Sequence, residues 1–253
     1  MKGRVLDGSK VVAGGALLLV IACSFAGYLA LPRESLAASY STSLGGRSFS
    51  QRHNALLALR ELDGAVIKAG EEFSFNRRVG TFSRDQGYRK APVSYNGQLI
   101  DDWGGGVCQA STTLYNAALL SGLRIVERNR HRFCPSYVPP GRDAAVAFSN
   151  IDLRFVNPYD FPLRVHAFID HDKARVDIYS ARPLQVHPEV LQSVVHREPP
   201  ATFYLGSRSS SRRVRNSGKA GMEVVVYRMM GSSREIISCD DYPVMNRVVD
   251  FSP

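Results

Sequence analysis

The feature that most constrains this chain is a run of three glycines, Gly104 to Gly106, directly before a helical pattern. Glycine has no Cβ, so such a run permits a tight turn and a close approach to neighbouring backbone. Apolar residues at helical spacing follow it, and they predict a partly buried helix from Cys108 to Leu120 that ends at Gly122. The turn therefore delivers Cys108 to the first turn of a helix.

A cysteine at a helix start has two properties that acyl transfer needs. The free N–H groups and the positive end of the helix dipole stabilise an anion, which lowers the pKa of a thiol. The N–H of Cys108 or of Gln109 is also suited to bind the oxyanion of a tetrahedral intermediate. The pattern predicts a nucleophile at Cys108. The alternative is that Cys108 is simply a small buried residue.

A nucleophilic thiol needs a base, and His131 is the candidate because it follows the strand predicted after the helix. Three cations flank it: Arg128, Arg130 and Arg132. Their charge is expected to favour the neutral imidazole at pH 7. A third group should orient the imidazole. Asp152, at the start of a strand, is the first choice, and Asp143 is the second.

The remaining pattern predicts an α+β domain with a mainly antiparallel sheet. A first helix is predicted from Phe49 to Asp63 with Ser50 as its N-cap. Many short strand-like runs follow, and two hairpins are indicated by Asn96-Gly97 and by the segment from Asp170 to Lys173. A small β tail is predicted beyond Gly218.

The N-terminal part contains an uncharged stretch from Val11 to Leu31. About 20 apolar residues suffice to cross a bilayer. Because the positive flank lies on the N-terminal side, we expect a single-pass membrane helix with the N-terminus in the cytoplasm and the remainder on the cell-wall side. Cleavage of a signal peptide after Ala37 and lipidation at Cys23 are the alternatives.

The formal net charge of +9 suits a nucleic acid, a membrane surface or an anionic polymer as partner. Export excludes nucleic acid and leaves cell-wall anions and lipid. The histidines lack the spacing of metal ligands, so no metal and no organic cofactor are expected. Three cysteines lie beyond the apolar stretch, an odd number, and a Cys134–Cys239 disulfide with Cys108 free is one open pairing.

Composition divides the chain into five predicted parts. They are a cytoplasmic stub with a membrane anchor (1–36), a linker (37–47), the main domain (48–182), a second linker (183–217) and the β tail (218–253). The second linker is predicted from its proline pair and its run of serines and arginines.

The main domain resembles the VanW family over roughly Ser48 to Arg182. The resemblance is carried by Phe73-Ser74-Phe75-Asn76, Gly87-Tyr88, Ala91-Pro92, Gly104 to Asn116, Gly122-Leu123, Ile125 to Arg128, His131, Tyr137-Val138-Pro139, Gly141, Asp143 to Val146, Asp152 to Phe155 and Asn157. Its most specific part is the core Gly-Gly-Gly-Val-Cys-Gln-x-Ser-Thr-Thr-Leu-Tyr-Asn-Ala.

The family takes its name from vancomycin-resistance gene clusters, and some members resemble cysteine L,D-transpeptidases of peptidoglycan. The resemblance implies that Cys108 attacks a donor stem peptide, forms a thioester and passes the acyl group to a second stem in a 3–3 cross-link. It also implies that His131 transfers the protons. The predicted substrate-binding residues are Gly105, Gly106, Gln109 and Asp143.

Two alternatives remain at this point. A thiol amidase or carboxypeptidase acting on the same stem differs only in using water as the acceptor. A protein from a different class, a non-catalytic envelope protein, binds wall polymer through its basic surface or scaffolds other wall enzymes.

Overall fold

A computed structural model of the protein describes residues 34–95, 98–148, 150–206 and 213–251. The chain from Ser35 onward forms one compact unit. Its described part contains three α-helices: α1 (Phe49–Leu62), α2 (Phe75–Val79) and α3 (Val107–Leu120). A short 3-10 helix spans Arg84–Gln86.

Fifteen strands surround these helices in the described part of the chain. They are β1 (Ser35–Ser43), β2 (Val66–Ile67), β3 (Glu72–Ser74), β4 (Lys90–Tyr95), β5 (Gln98–Trp103), β6 (Arg124–Glu127), β7 (Arg154–Val156), β8 (Leu163–Asp170), β9 (Lys173–Ser180), β10 (Glu189–Glu198), β11 (Thr202–Leu205), β12 (Arg213–Asn216), β13 (Gly221–Met230), β14 (Ser233–Tyr242) and β15 (Arg247–Asp250).

The strands form five sheets within the described ranges. The largest has the order β1-β9-β8-β2, and the others are β10-β13-β14, β11-β15-β12, β3-β7-β6 and the pair β4-β5. All of these pairings are antiparallel except that of β11 with β15. Sequential strands joined by short turns, such as β8 with β9 and β13 with β14, explain why antiparallel pairing dominates.

Helix α3 lies at the centre of the core, against β1, β9 and α1. Nearly all of its side chains are buried, with Leu114, Tyr115 and Leu119 fully enclosed. A helix that is apolar or small on every side is one that is buried on every side. The residues of α3 are therefore held in fixed positions by their neighbours.

Helix α1 begins at Phe49 as predicted, but its N-cap lies two residues before the predicted one. Ser48, not Ser50, is the N-cap: its hydroxyl accepts from the N–H of Gln51, and the Gln51 side chain accepts from the N–H of Ser48. This reciprocal capping box satisfies two helix-start donors. It also places Gln51 beside the glycine turn that precedes α3.

Both predicted hairpins have their strands paired. Tyr95 lies opposite Gln98 in the β4–β5 pair, and Asp170 lies opposite Lys173 in the β8–β9 pair. The turn residues 96 and 97 lie outside the described ranges. In the second turn His171 has a φ of 54°, a left-handed conformation suited to a tight two-residue turn.

The predicted α+β class is wrong, because the described chain is mainly antiparallel β-sheet with only three helices. Two long strands, Ser35–Ser43 and Glu189–Glu198, form where the sequence has no strict alternation of apolar and polar residues. Their partners, not their own patterns, determine that they are strands.

The predicted membrane helix from Val11 to Leu31 lies outside the described residues. No helix in the part of the chain that the structure describes has the length and apolarity needed to cross a membrane.

The glycine turn is a crossing point of three backbone segments. A Cβ on Gly105 would lie 2.7 Å from the carbonyl oxygen of Ala91 in β4. A Cβ on Gly106, whose φ is +111°, would overlap the carbonyl oxygen of Gln51 in α1. Only glycine allows α1 and β4 to approach the start of α3 this closely.

We predict that Gly106→Ala destabilises the protein far more than Gly64→Ala. Both glycines have positive φ, but the Cβ at Gly64 would meet nothing within 4 Å. The control should lose about 1–2 kcal/mol from the left-handed conformation alone. Gly106→Ala should lose about 1–3 kcal/mol more, because backbone overlap adds an overpacking cost. Urea unfolding curves measure both, and equal losses would contradict the close crossing.

Candidate active site

Cys108 is the second residue of α3, immediately behind the glycine turn. Its side chain is partly buried, and its Sγ donates to the carbonyl oxygen of Val146 at 3.4 Å. The imidazole of His131 lies close enough to the thiol to lower its pKa. The helix start and the loop that carries His131 therefore meet at the sulfur atom.

His131 is held at both its backbone and its ring by one carboxylate. Its N–H and its Nδ1 each lie 2.7 Å from Oδ2 of Asp143. Because Nδ1 is engaged by Asp143, Nε2 is the nitrogen available to the Cys108 thiol. The bridge between Asn129 and Ala145 joins the two segments beside this contact.

Asp143 is completely buried, and its second oxygen is also occupied. Its Oδ1 accepts from Nη2 of Arg128 at 2.9 Å and from the hydroxyl of Tyr242. A buried carboxylate needs such compensation, since an unpaired buried charge is strongly unfavourable. The structure thus brings Cys108, His131 and Asp143 together in one series, in which Asp143 is hydrogen-bonded to His131 and His131 lies beside the Cys108 thiol.

The electrostatics of this series favour a charged pair. Burial raises the pKa of the Cys108 thiol, but the hydrogen bond and charge of His131 outweigh burial and leave that pKa below its ordinary value. Burial lowers the pKa of His131, yet Asp143 and Cys108 raise it to about 10. Burial likewise raises the pKa of Asp143, while His131 and Arg128 bring it down to about 2. Thiolate and imidazolium stabilise each other.

The expectation of a neutral imidazole at His131 is therefore wrong. The flanking guanidinium groups do not face the ring. Arg128 binds Asp143 and Asp240, Arg130 lies over the ring of Tyr242, and Arg132 lies over the ring of Phe133. The nearest charge to the imidazole is the carboxylate of Asp143.

Asp152, the first choice for the orienting group, lies elsewhere. It accepts from the hydroxyl of Ser74 at 2.5 Å and from the N–H of Asn76 at 2.9 Å. These bonds fix the start of α2. The group that orients the imidazole is therefore Asp143, the second choice. It contacts His131 and does not contact the thiol.

The other predicted binding residues are mostly engaged with the protein itself. The Gln109 side chain is buried and bonds Thr42, the Ser43 carbonyl and Nε of Arg47. Its N–H donates to the carbonyl of Gly106 at 3.0 Å. The carbonyl of Gly105 accepts from Asn54. Of the two expected oxyanion donors, the N–H of Cys108 is the one not taken by these bonds.

Several residues around the site were not predicted. Tyr137 donates its hydroxyl to the Cys108 carbonyl at 3.4 Å, and Arg47 lies over the Tyr137 ring with its Cζ 4.8 Å from the centroid. Asp240 and Tyr242 reach the site from β14. No local pattern signals such contacts, because each joins segments distant in the sequence.

Two further observations concern the cysteines and the metal-ligand residues. The three cysteines that the structure describes, Cys108, Cys134 and Cys239, form no disulfide with one another. Among the residues that the structure describes, no group of three His, Cys, Asp or Glu side chains is arranged to hold a metal ion.

A thiol at a helix start, beside an imidazole whose Nδ1 is bound by a buried carboxylate, is an arrangement also found in cysteine nucleophile sites. The family model described as VanW like protein matches residues 50–179, about half of the chain. The chain belongs to the VanW family.

Two curated proteins are similar to it. The uncharacterized protein YoaR of Bacillus subtilis is 42% identical over 128 residues, which cover 51% of this chain and 42% of YoaR. The vancomycin B-type resistance protein VanW of Enterococcus faecalis is 29% identical over 194 residues, which cover 74% of this chain and 64% of that protein. The chain thus spans less than two thirds of either relative.

One solved structure, that of the IgA1 protease G5 domain, shares 22% identity and covers 26% of this chain and 92% of its own. Its TM-score of 0.19 is too low for an argument about fold or function.

We predict that His131→Gln slows alkylation of Cys108 and moves its pH midpoint upward. In the wild type the midpoint should lie below the value of about 8.5 for a free thiol. Without the imidazole, burial is the remaining large influence and raises the pKa of the thiol. Iodoacetamide labelling followed by peptide mass spectrometry reports Cys108 separately from Cys134, whose pKa burial raises to about 11.

His166→Gln is the matched control. His166 forms the same kind of bond, with its Nδ1 2.6 Å from Oδ1 of Asp63, but on the surface and in another part of the fold. An unchanged midpoint in His131→Gln, or an equal shift in both variants, would rule out activation of Cys108 by His131.

Proposed function

We propose that this protein is a peptidoglycan L,D-transpeptidase that forms 3–3 cross-links through a thioester on Cys108. The observation that carries the proposal is the series Cys108–His131–Asp143, in which Asp143 is hydrogen-bonded to His131 and the thiol pKa is lowered while the imidazole pKa is raised. Acyl transfer is the reaction that such a pair serves most directly.

In the first half-reaction the Cys108 thiolate attacks the carbonyl carbon of the amide after the third residue of the donor stem. The C–N bond of the tetrahedral intermediate then breaks, and the His131 imidazolium gives its proton to the leaving amine of the D-residue. A thioester and a neutral imidazole remain. The N–H of Cys108 at the helix start is the proposed donor to the oxyanion.

In the second half-reaction an amine of a neighbouring stem attacks the thioester carbonyl. The imidazole of His131 takes the proton from the attacking amine, the C–S bond breaks, and an amide forms as the thiolate leaves. The thiolate–imidazolium pair is restored, so the cycle consumes no oxidant or reductant. Throughout, Asp143 keeps the proton-carrying Nδ1 in place and stabilises the imidazolium.

A positively charged side chain near the thiol suits a donor that carries carboxylates, as stem peptides do. Arg47 lies beside Gln109 and Tyr137, next to Cys108. Among the described residues no carboxylate forms an ion pair with it. The net charge of the whole chain, +9, acts in the same direction at longer range. Since peptidoglycan lies outside the cytoplasmic membrane, the proposal assigns the domain to the cell-wall side.

We expect the purified full chain to form a covalent adduct when it is incubated with a disaccharide tetrapeptide. Intact mass spectrometry should show a mass gain equal to the donor without its terminal D-residue, and Cys108→Ala should show none. Adding a stem amine should convert the adduct into a cross-linked product. Release by water alone would make the protein a carboxypeptidase, and a folded protein without adduct or turnover would be a wall-binding protein instead.

We also expect the variants Asp143→Asn and Asp152→Asn to differ in the rate of adduct formation. Asp143→Asn should lower the rate of adduct formation by about 10²-fold or more, because the imidazole loses its orienting carboxylate. Asp152→Asn should stay within a few-fold of the wild type, because Asp152 binds Ser74 and Asn76. Circular dichroism confirms that both variants are folded. A larger effect in Asp152→Asn would reverse the assignment.

A further inference from the structure

The carboxylate that orients His131 is not alone on its arginine. Nη1 of Arg128 lies 2.6 Å from Oδ1 and 2.7 Å from Oδ2 of Asp240, while its Nη2 lies 2.9 Å from Oδ1 of Asp143. All three side chains are buried, with 6%, 7% and 0% of their surface exposed for Arg128, Asp240 and Asp143. One buried cation is thus shared by two buried carboxylates.

We propose that Asp240, on the C-terminal hairpin β13–β14, is a positioning residue of the active site: it neutralises Arg128 so that the charge of Asp143 remains available to the imidazolium of His131. The inference concerns the reactivity of Cys108. Only its turnover measurement rests on the proposed function.

The charges explain why the second carboxylate is needed. Arg128 and Asp143 by themselves would form a neutral pair, and the imidazolium would then face no net negative charge. With Asp240 present, the three groups together carry one negative charge, which favours the protonated ring. A protonated ring in turn stabilises the Cys108 thiolate. Asp240 therefore acts on the thiol through two intermediates, Arg128 and the Asp143–His131 pair.

The hairpin is fastened to the site by more than this ion pair. The hydroxyl of Tyr242 donates to Oδ1 of Asp143 and accepts from the N–H of Gly141 at 3.1 Å. The Ser238 hydroxyl donates to Oδ2 of Asp240 at 3.1 Å. These bonds fix both the loop that carries Asp143 and the carboxylate of Asp240. A mobile surface tail would not be joined to the protein in this way.

The hairpin spans residues 221–242, beyond the range 50–179 that matches the family model. The proposed site is thus completed by residues that the matched range does not contain.

The pH dependence of the thiol is set by all the charged and titratable groups around the series. Besides His131 and Asp143, these are Arg47, Tyr115, Arg128, Tyr137, Lys219, Asp240 and Tyr242. Burial raises the pKa of Tyr115 to about 12 and also raises the pKa of Tyr137 and of Tyr242, so all three hydroxyls stay neutral in the accessible pH range. The pH dependence of the Cys108 thiol therefore depends mainly on the charges of His131, Asp143 and Asp240.

The test compares Asp240→Asn with Asp241→Asn in the full chain. The two residues are neighbours on β14, and both substitutions remove one negative charge, but Asp241 is exposed on the opposite face. Asp240→Asn should move the pH midpoint of Cys108 alkylation upward by about 1 unit or more, as loss of a nearby charge does. Asp241→Asn should leave it unchanged. An unchanged midpoint in folded Asp240→Asn, or an equal shift in both, overturns the proposal.

A double variant separates charge from structure. Arg128→Gln combined with Asp240→Asn removes the cation together with its second partner, so Asp143 again keeps its charge for His131. Its midpoint should return toward that of the wild type, and a midpoint as high as that of Asp240→Asn overturns the proposal. If Asp240→Asn does not fold, Asp240→Ser, which leaves room for water beside Arg128, replaces it in the same comparison.

Turnover distinguishes this inference from the proposed function. With a tetrapeptide donor at neutral pH, Asp240→Asn should lower kcat about tenfold and leave KM unchanged, because less thiolate is present. A wild type without turnover whose alkylation midpoint still depends on Asp240 refutes the transpeptidase and keeps the inference. A wild type with turnover whose midpoint is insensitive to Asp240 refutes the inference alone.

Discussion

The structure depends on the buried carboxylate of Asp143. A charge without water must be compensated by its surroundings, and here four donors do so: the N–H and ring of His131, the guanidinium of Arg128 and the hydroxyl of Tyr242. These donors come from two separate stretches of the chain, and Asp143 itself lies on a third. Because losing any one of them leaves a charge partly unpaired, the stretches are held in a single arrangement. The position of the imidazole over Cys108 follows from that arrangement.

In the proposed reaction, the same carboxylate allows one pair of side chains to serve two opposite proton transfers. Asp143 favours the protonated form of His131, and the imidazolium in turn favours the Cys108 thiolate. For that reaction the pair contains both the nucleophile for bond formation and the acid for departure of the amine. Neither group has the pKa of an isolated side chain, and the pKa shift of each depends on the presence of the other.

Local patterns predicted the parts of this site that are local. Helix α3 begins at Val107, one residue from its predicted start, since a glycine turn and a stop glycine mark both of its ends. The turn also marked Cys108. The sequence ranked Asp152 above Asp143 because Asp152 lies at the start of a predicted strand, but only tertiary contact decides which carboxylate reaches the ring, and it is Asp143. Asp240 lies more than a hundred positions from Arg128 in the sequence, and no periodicity reports such a pairing. The fold class was wrong because two helical patterns give a strong local signal, whereas strands such as Ser35–Ser43 are defined by their partners.

The glycine turn affects how the activity of related proteins can be inferred from their sequences. Gly105 and Gly106 are required by the passage of β4 and α1 past the start of α3, and this steric requirement is independent of any reaction. A descendant that had lost its thiol would still need both glycines in order to fold. Such a pseudoenzyme would keep the most recognisable part of the signature. Whether a member can carry out the proposed reaction has to be judged from its residues at positions 108, 131 and 143, not from the glycines that precede the helix.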